Sequence, residues 1–175
     1  DDVQECKYGI LNVRAYYNFT AQTLVVDVLS AKHVIALDPN GLSDPFVIVE
    51  LVAPSKFPDC PVMKTRVVHK NLNPVFEETF EFSVPAIPPE NAMLHFIVMD
   101  HDFLTANDFA GEAIIDLRDI PGFSSSGAPS TLRQFNLILL HPEPQARGPL
   151  AVLATRKEDK DAQNFIRHVE YVRRT

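Results

Sequence analysis

Six glycines, two cysteines and no apolar run approaching the length of a bilayer set the first limits on this 175-residue chain. About 20 consecutive apolar residues are needed to span a membrane as a helix, so no such helix is expected. Cys6 and Cys60 have no paired Cys/His spacing around them. They make neither a disulfide framework nor a zinc set and read as reduced thiols. The few glycines form no Gly-rich phosphate loop, and no serine or cysteine nucleophile motif accompanies them. Positive charge is also scarce: 16 Lys and Arg face 23 Asp and Glu, a net charge of -7. A nucleic-acid partner needs a basic surface and is excluded as the main one. The chain opens DDVQEC, with neither signal peptide nor methionine, as expected of a domain excised from a longer parent.

What is present is apolar and regularly punctuated. Apolar residues make up 46% of the chain and prolines number 14, which favours a globular all-β reading. Runs of strand-like composition recur at 9–18, 23–32, 45–52, 63–70, 78–84, 93–100, 109–117 and 130–139. In TLVVDVL, Leu24, Val26 and Val28 share one face; in ETFEFSV, Phe80, Phe82 and Val84 oppose Thr79, Glu81 and Ser83. Eight such strands predict two antiparallel sheets packed face to face. The Pro-rich stretch 53–61 and the small, polar stretch 121–130 read as mobile surface connections. From Asp159 to Val172, Ala162, Phe165, Ile166, Val169 and Val172 fall at helical intervals. That amphipathic helix either docks on its own domain or faces a partner or membrane.

Five aspartates stand apart. Asp38 and Asp44 are spaced D-x5-D; Asp100, Asp102 and Asp108 are spaced D-x-D-x5-D, and each group directly follows a strand-like run. Two carboxylates at ~4 Å in a medium of effective dielectric ~20 repel by roughly 4 kcal/mol, so loops of this kind call for a cation. Hard oxygen donors on flexible loops suit calcium. An EF-hand is excluded by position: counting from Asp38, the sixth residue is Ser43 in place of Gly and the twelfth is Val49 in place of Glu. A two-metal hydrolase built on Asp100-His101-Asp102 lacks supporting motifs, and alternation along an extended loop turns His101 away from its neighbours into solvent. The chain is read as a non-enzyme.

LDPNGLSDPFVIV (37–49), KTRVVHKNLNPVFEETFEF (64–82) and VMDHDFLTANDFAGEAIIDL (98–117), in that order, resemble a synaptotagmin-like C2 domain. The likeness covers about residues 8–141. The opening KYGILNV and the ending LAVLATRKEDKDAQNFIRHVEYVRR are most similar to the C-terminal C2 domain of Munc-thirteen-type vesicle priming proteins, in the BAI-associated protein branch. The resemblance implies an eight-stranded antiparallel Greek-key β-sandwich of synaptotagmin-like topology with a short C-terminal α-helix. It divides the chain into a linker (1–7), the C2 domain (8–141), a second linker (142–158) and the helix (159–173).

By the same resemblance Asp38, Asp44, Asp100, Asp102 and Asp108 are Ca2+ ligands. Backbone carbonyls near Leu37 and His101 complete the shell, and Thr105 and Ala106 lie where a further weak site gains oxygens. Two ions are expected, with a third left open. Phe103 and Leu104, apolar beside the ligands, are the candidate membrane-inserting residues; packing beneath the loops is the alternative for Leu104 and the favoured expectation for Phe103, Ile35 and Leu37. The implied partners are an anionic phospholipid membrane (phosphatidylserine, and phosphoinositides) and SNARE proteins. The implied location is cytoplasmic and peripheral, at plasma membrane, secretory vesicle or endosome. Where many relatives have a lysine-rich strand, this chain has only Lys56, Lys64 and Arg66, with Asp59 between them, which argues against a strong polybasic site. A C2 fold used as a calcium-independent protein-interaction module is the alternative.

Overall fold

The computed structural model describes residues 7–37, 40–52, 56–104, 106–123, 132–140, 154–160, 162–164 and 166–167. Eight strands form two antiparallel four-stranded sheets: β1 (Ile10–Asn18), β2 (Thr23–Lys32), β3 (Pro45–Val52), β4 (Met63–Lys64), β5 (Val75–Ser83), β6 (Met93–Asp100), β7 (Asp108–Asp116) and β8 (Arg133–Ile138). The first sheet runs β5-β2-β1-β8 and the second β4-β3-β6-β7.

Alternation decides which faces meet. Leu11, Val13, Ala15 and Tyr17 of β1 and Leu24, Val26 and Val28 of β2 are fully buried, as the period of two requires. They share one core with Val47, Val49 and Leu51 of β3 and Leu94, Phe96 and Val98 of β6. Gly9, at the entrance to β1, has φ +94, and a Cβ there would lie 2.4 Å from the Lys32 carbonyl oxygen. Only glycine lets the two strand ends approach so closely.

Three expectations need correction. The run 63–70 is not one strand: β4 stops at Lys64 because the Val47 N–H donates to Thr65 Oγ1 (2.9 Å), and this side-chain acceptor interrupts the regular ladder. Two backbone bonds to β3 persist, Thr65 N–H to Val47 O and Val68 N–H to Pro45 O, each 2.9 Å. The connections at 53–61 and 121–130 are anchored where they are described. Phe57 is buried in the core, and Phe123 stacks on Tyr17 with ring centroids 4.0 Å apart. Aromatic burial of this kind ties Phe57 and Phe123 to the core; residues 53–55 and 124–130 lie outside the described residues. Cys60, on the first of these connections, is a free thiol donating to the Ser83 carbonyl (3.2 Å). Burial and the charge of Asp59 push its pKa up. Cys6 lies outside the described residues.

β6 is buried along its whole length. One face lies in the core between the sheets. On the other, Met93 joins Val52 and Ile114 in a cluster that receives Ala162 and Ile166, so the C-terminal helical residues dock on their own domain. Asp159 caps that helix, its Oδ1 accepting from the Ala162 N–H (3.2 Å) while Oδ2 accepts from Asn91 (3.0 Å). Phe165, Val169 and Val172 lie outside the described side chains.

The same outer face carries three buried ionisable groups. Glu50 on β3 is paired in register with His95 on β6. His95 Nε2 lies 3.1 Å from Glu112 Oε2, and Nδ1 lies 3.5 Å from Glu50 Oε1. Burial alone pushes the imidazolium pKa down, but the contacts with Glu112 and Glu50 outweigh it and hold the pKa above its ordinary value. The folded value therefore exceeds that of the unfolded chain, ~6.5. Stabilisation from the charged imidazole is complete below that pH and is lost as pH rises through the folded value. Thermal melts from acid to alkaline pH should accordingly show a falling midpoint above pH ~6.5. His95→Leu, which leaves two buried carboxylates without their cation, should cost about 3–5 kcal/mol, read from urea midpoints.

Candidate functional site

Strand register alone brings three of the aspartates to one edge of the second sheet. Asp44 immediately precedes β3, Asp100 ends β6 and Asp108 begins β7, with Pro45 opposite Asp100 and Asp100 opposite Asp108. Because β6 lies between β3 and β7, Asp100 is the central member. Its side chain is 1% exposed, and Oδ1 accepts the Asp44 N–H at 2.8 Å. The Asp44 carbonyl in turn accepts the His101 N–H at 2.9 Å. Loop one and loop three are thus tied on both sides of Asp44.

Loop three is closed by its own aspartate. Asp102 Oδ1 accepts the Leu104 N–H (2.8 Å), an Asx turn, and the Asp102 N–H donates to Asn107 Oδ1 (3.0 Å). This local closure forces the next two side chains outward. Phe103 is 78% exposed and Leu104 is 94% exposed. Ile35 and Leu37 in loop one instead pack against the core. Asp108 and Ala106 are exposed; Asp38 and Thr105 lie outside the described residues.

His101 departs from its expected place. Its ring is half-buried, edge-on to Phe103 (centroids 4.7 Å) and to Phe46 (6.3 Å). Edge-to-face attraction between aromatic rings outweighs the simple alternation that would send it to solvent.

A third segment, unassigned from sequence, completes the site. The Lys70 N–H donates to Asp44 Oδ1 (2.7 Å), the Asn71 N–H donates to the Ser43 carbonyl (2.9 Å), and His69 Nδ1 lies 3.6 Å from Asp44 Oδ1. Lys70 has φ +51, a left-handed backbone that turns its N–H onto the carboxylate. Asn73 Oδ1 accepts the His33 N–H (3.0 Å), and the Leu72 carbonyl accepts the Val34 N–H (3.0 Å). The turn-forming asparagines of KNLNP were the signal that could have found this brace. Of the basic residues nearby, Arg66 is structural: it donates to the carbonyls of Phe76 (2.7 Å) and Val75 (2.9 Å).

The donor set fits a hard cation. Asp44, Asp100, Asp102 and Asp108 offer only oxygen, on loops held by backbone bonds, and a carboxylate has about four acceptor sites, so one N–H does not exhaust it. Among the described residues no three His, Cys, Asp or Glu side chains gather as a metal cluster. Adjacent bare carboxylates repel.

The description "C2 domain" matches residues 22–133, a span holding all five aspartates. The chain is 42% identical over 161 residues to human "Protein unc-13 homolog D", covering 91% of this chain and 15% of that protein. It is 41% identical over 173 residues to mouse "BAI1-associated protein 3", covering 96% of this chain and 15% of that one. This chain therefore spans only about a seventh of either relative's length. Among solved structures, a C2 domain of RIM from Drosophila superposes with a TM-score of 0.58 at 23% identity, over 74% of this chain and 98% of that one. That likeness speaks for the fold. Strand order, the matched span and these relatives together make the chain a member of the C2 domain family.

Proposed function

We propose that this domain binds calcium and, with it, anionic phospholipid, docking its parent protein on a membrane during vesicle priming, exocytosis or endosomal trafficking. The observation that carries the reading is a juxtaposition: the loop that supplies Asp102, and that is bounded by Asp100 and Asp108, also presents Phe103 and Leu104, 78% and 94% exposed. Large apolar side chains that exposed, on a loop bounded by aspartates, suit a surface that is anionic outside and apolar within.

Asp38, Asp44, Asp100, Asp102 and Asp108 would hold two ions, with backbone carbonyls at Leu37 and His101 and oxygens at Thr105 as further donors. Bound calcium supplies positive charge, about +4 for two ions against up to five carboxylates, where an anionic leaflet would otherwise be repelled. The chain's own residues do the rest. Backbone bonds at Asp44 keep loops one and three together, and the Asp102 turn aims Phe103 and Leu104 outward. Insertion of one such side chain contributes roughly 1.5–3 kcal/mol. No helix among the described residues is long and apolar enough to cross a membrane, so docking is peripheral in this reading. SNARE proteins as partners, and cytoplasmic location at plasma membrane, secretory vesicle or endosome, follow from the family resemblance and belong to the same proposal.

Millimolar calcium should raise the melting midpoint, since a ligand bound only by the folded state stabilises it by RT ln(1 + [L]/Kd). Calcium should also drive co-sedimentation with phosphatidylserine vesicles. No shift and no calcium-dependent sedimentation would leave a calcium-independent protein-interaction module in its place. Asp38→Asn combined with Asp44→Asn should abolish calcium-stimulated vesicle binding with the fold intact. Leu104→Ala should weaken vesicle binding by about 10-fold or more at unchanged calcium affinity in solution. Asp100 separates scaffold from ligand. Asp100→Ala removes the acceptor of the Asp44 N–H and should cost about 1–3 kcal/mol without calcium, whereas Asp100→Asn keeps an oxygen acceptor and should lose mainly the calcium-induced shift.

A further inference from the structure

Phe103 is 78% exposed, so the core does not hold its ring in place. Two imidazoles border it. His101 approaches edge-on at 4.7 Å between centroids, from the same loop. His69 lies nearly parallel to it, 12° between planes and 6.1 Å between centroids, and comes from the segment between β4 and β5.

That segment is fixed from below. The Val68 N–H donates to Pro45 O, the Lys70 N–H to Asp44 Oδ1 and the Asn71 N–H to Ser43 O, all within 2.7–2.9 Å. Three donors flanking His69 leave its backbone little freedom, so the ring is presented from a rigid base. The same residue faces a candidate ligand, with Nδ1 3.6 Å from Asp44 Oδ1. His69 thus touches one loop through Asp44 and the other through Phe103.

We propose that His69 is a positioning residue of the docking tip: its ring orders Phe103 and loop three, and so couples the carboxylate end of the domain to the apolar side chains that enter the lipid surface. The inference rests on the membrane-docking reading for its consequence, but not for its geometry. His69 itself is neither an oxygen ligand nor an inserted group. An exposed aromatic side chain with free rotamers would have to be ordered on entering the interface, and a preformed stack reduces that loss.

Two measurements on the 175-residue chain test it. In calcium-free buffer without lipid, NMR order parameters of the Phe103 ring should fall in His69→Ala and return in His69→Phe, which keeps the stack and loses the imidazole. With saturating calcium and phosphatidylserine vesicles, His69→Ala should weaken partitioning about fivefold, and should cost nothing further in a Phe103→Ala background. The solution melting shift with calcium should be unchanged. Order parameters that ignore His69→Ala, or a His69→Ala loss of equal size with and without Phe103, would overturn the proposal. If the parent fails to bind vesicles under calcium, the docking reading falls, and the order parameters alone still decide whether His69 positions Phe103.

Discussion

Carboxylates cannot be brought to one end of a protein without repelling one another, and the end of this sandwich is organised around that constraint. Rigid backbone takes the place of side-chain attraction. Asp44 is the pivot: its N–H is held by Asp100, its carbonyl by His101 and its side chain by the Lys70 N–H. Two of these bonds reach the start of loop three and the third reaches the β4–β5 connection, so loops one and three and that connection form one platform. Hydrogen bonds from N–H groups to carboxylates are stronger than neutral ones and also spread some of the negative charge.

The platform rests on β6. Because every residue of that strand is buried, Asp100 at its end stands on a stiff base, and register carries the stiffness to Asp44 and Asp108. Burial on both faces has a second consequence. A two-sheet sandwich leaves its outer faces to solvent unless something covers them, and here Ala162 and Ile166 meet Val52, Met93 and Ile114. The buried Glu50–His95–Glu112 group sits on this covered face, where loss of the imidazole charge would be felt as instability and not as altered binding at the far end.

Much of this was legible in the chain itself. The runs 23–32, 45–52 and 93–100 coincide with β2, β3 and β6 residue for residue, because strict alternation or a continuous apolar run admits one reading. The aspartate spacings and their position after strands marked the candidate site, and Phe103 and Leu104 stood out as apolar where loops are polar, though the exposure of Phe103 was not foreseen. What stayed hidden was non-local. The truncation of β4 depends on where Thr65 Oγ1 meets a neighbouring strand. The stack of His69 on Phe103 joins residues 34 positions apart, and no periodicity reports such a meeting.

Sequence by itself determined the all-β class, the strands, the C2 resemblance and which residue types could hold a cation, because these depend on local alternation, turn chemistry and spacing. Only the tertiary structure decided that Asp44, Asp100 and Asp108 share one sheet edge, that His101 lies between two phenylalanines, and that the HKN segment braces the site. It also decided which way the C-terminal helix faces. The physical reason is that these placements are set by contacts between segments distant in the chain: for Asp44, Asp100 and Asp108 by strand register, where a one-residue slip would send side chains to the opposite face, and for the others by packing and hydrogen bonds between loops, helix and sheet.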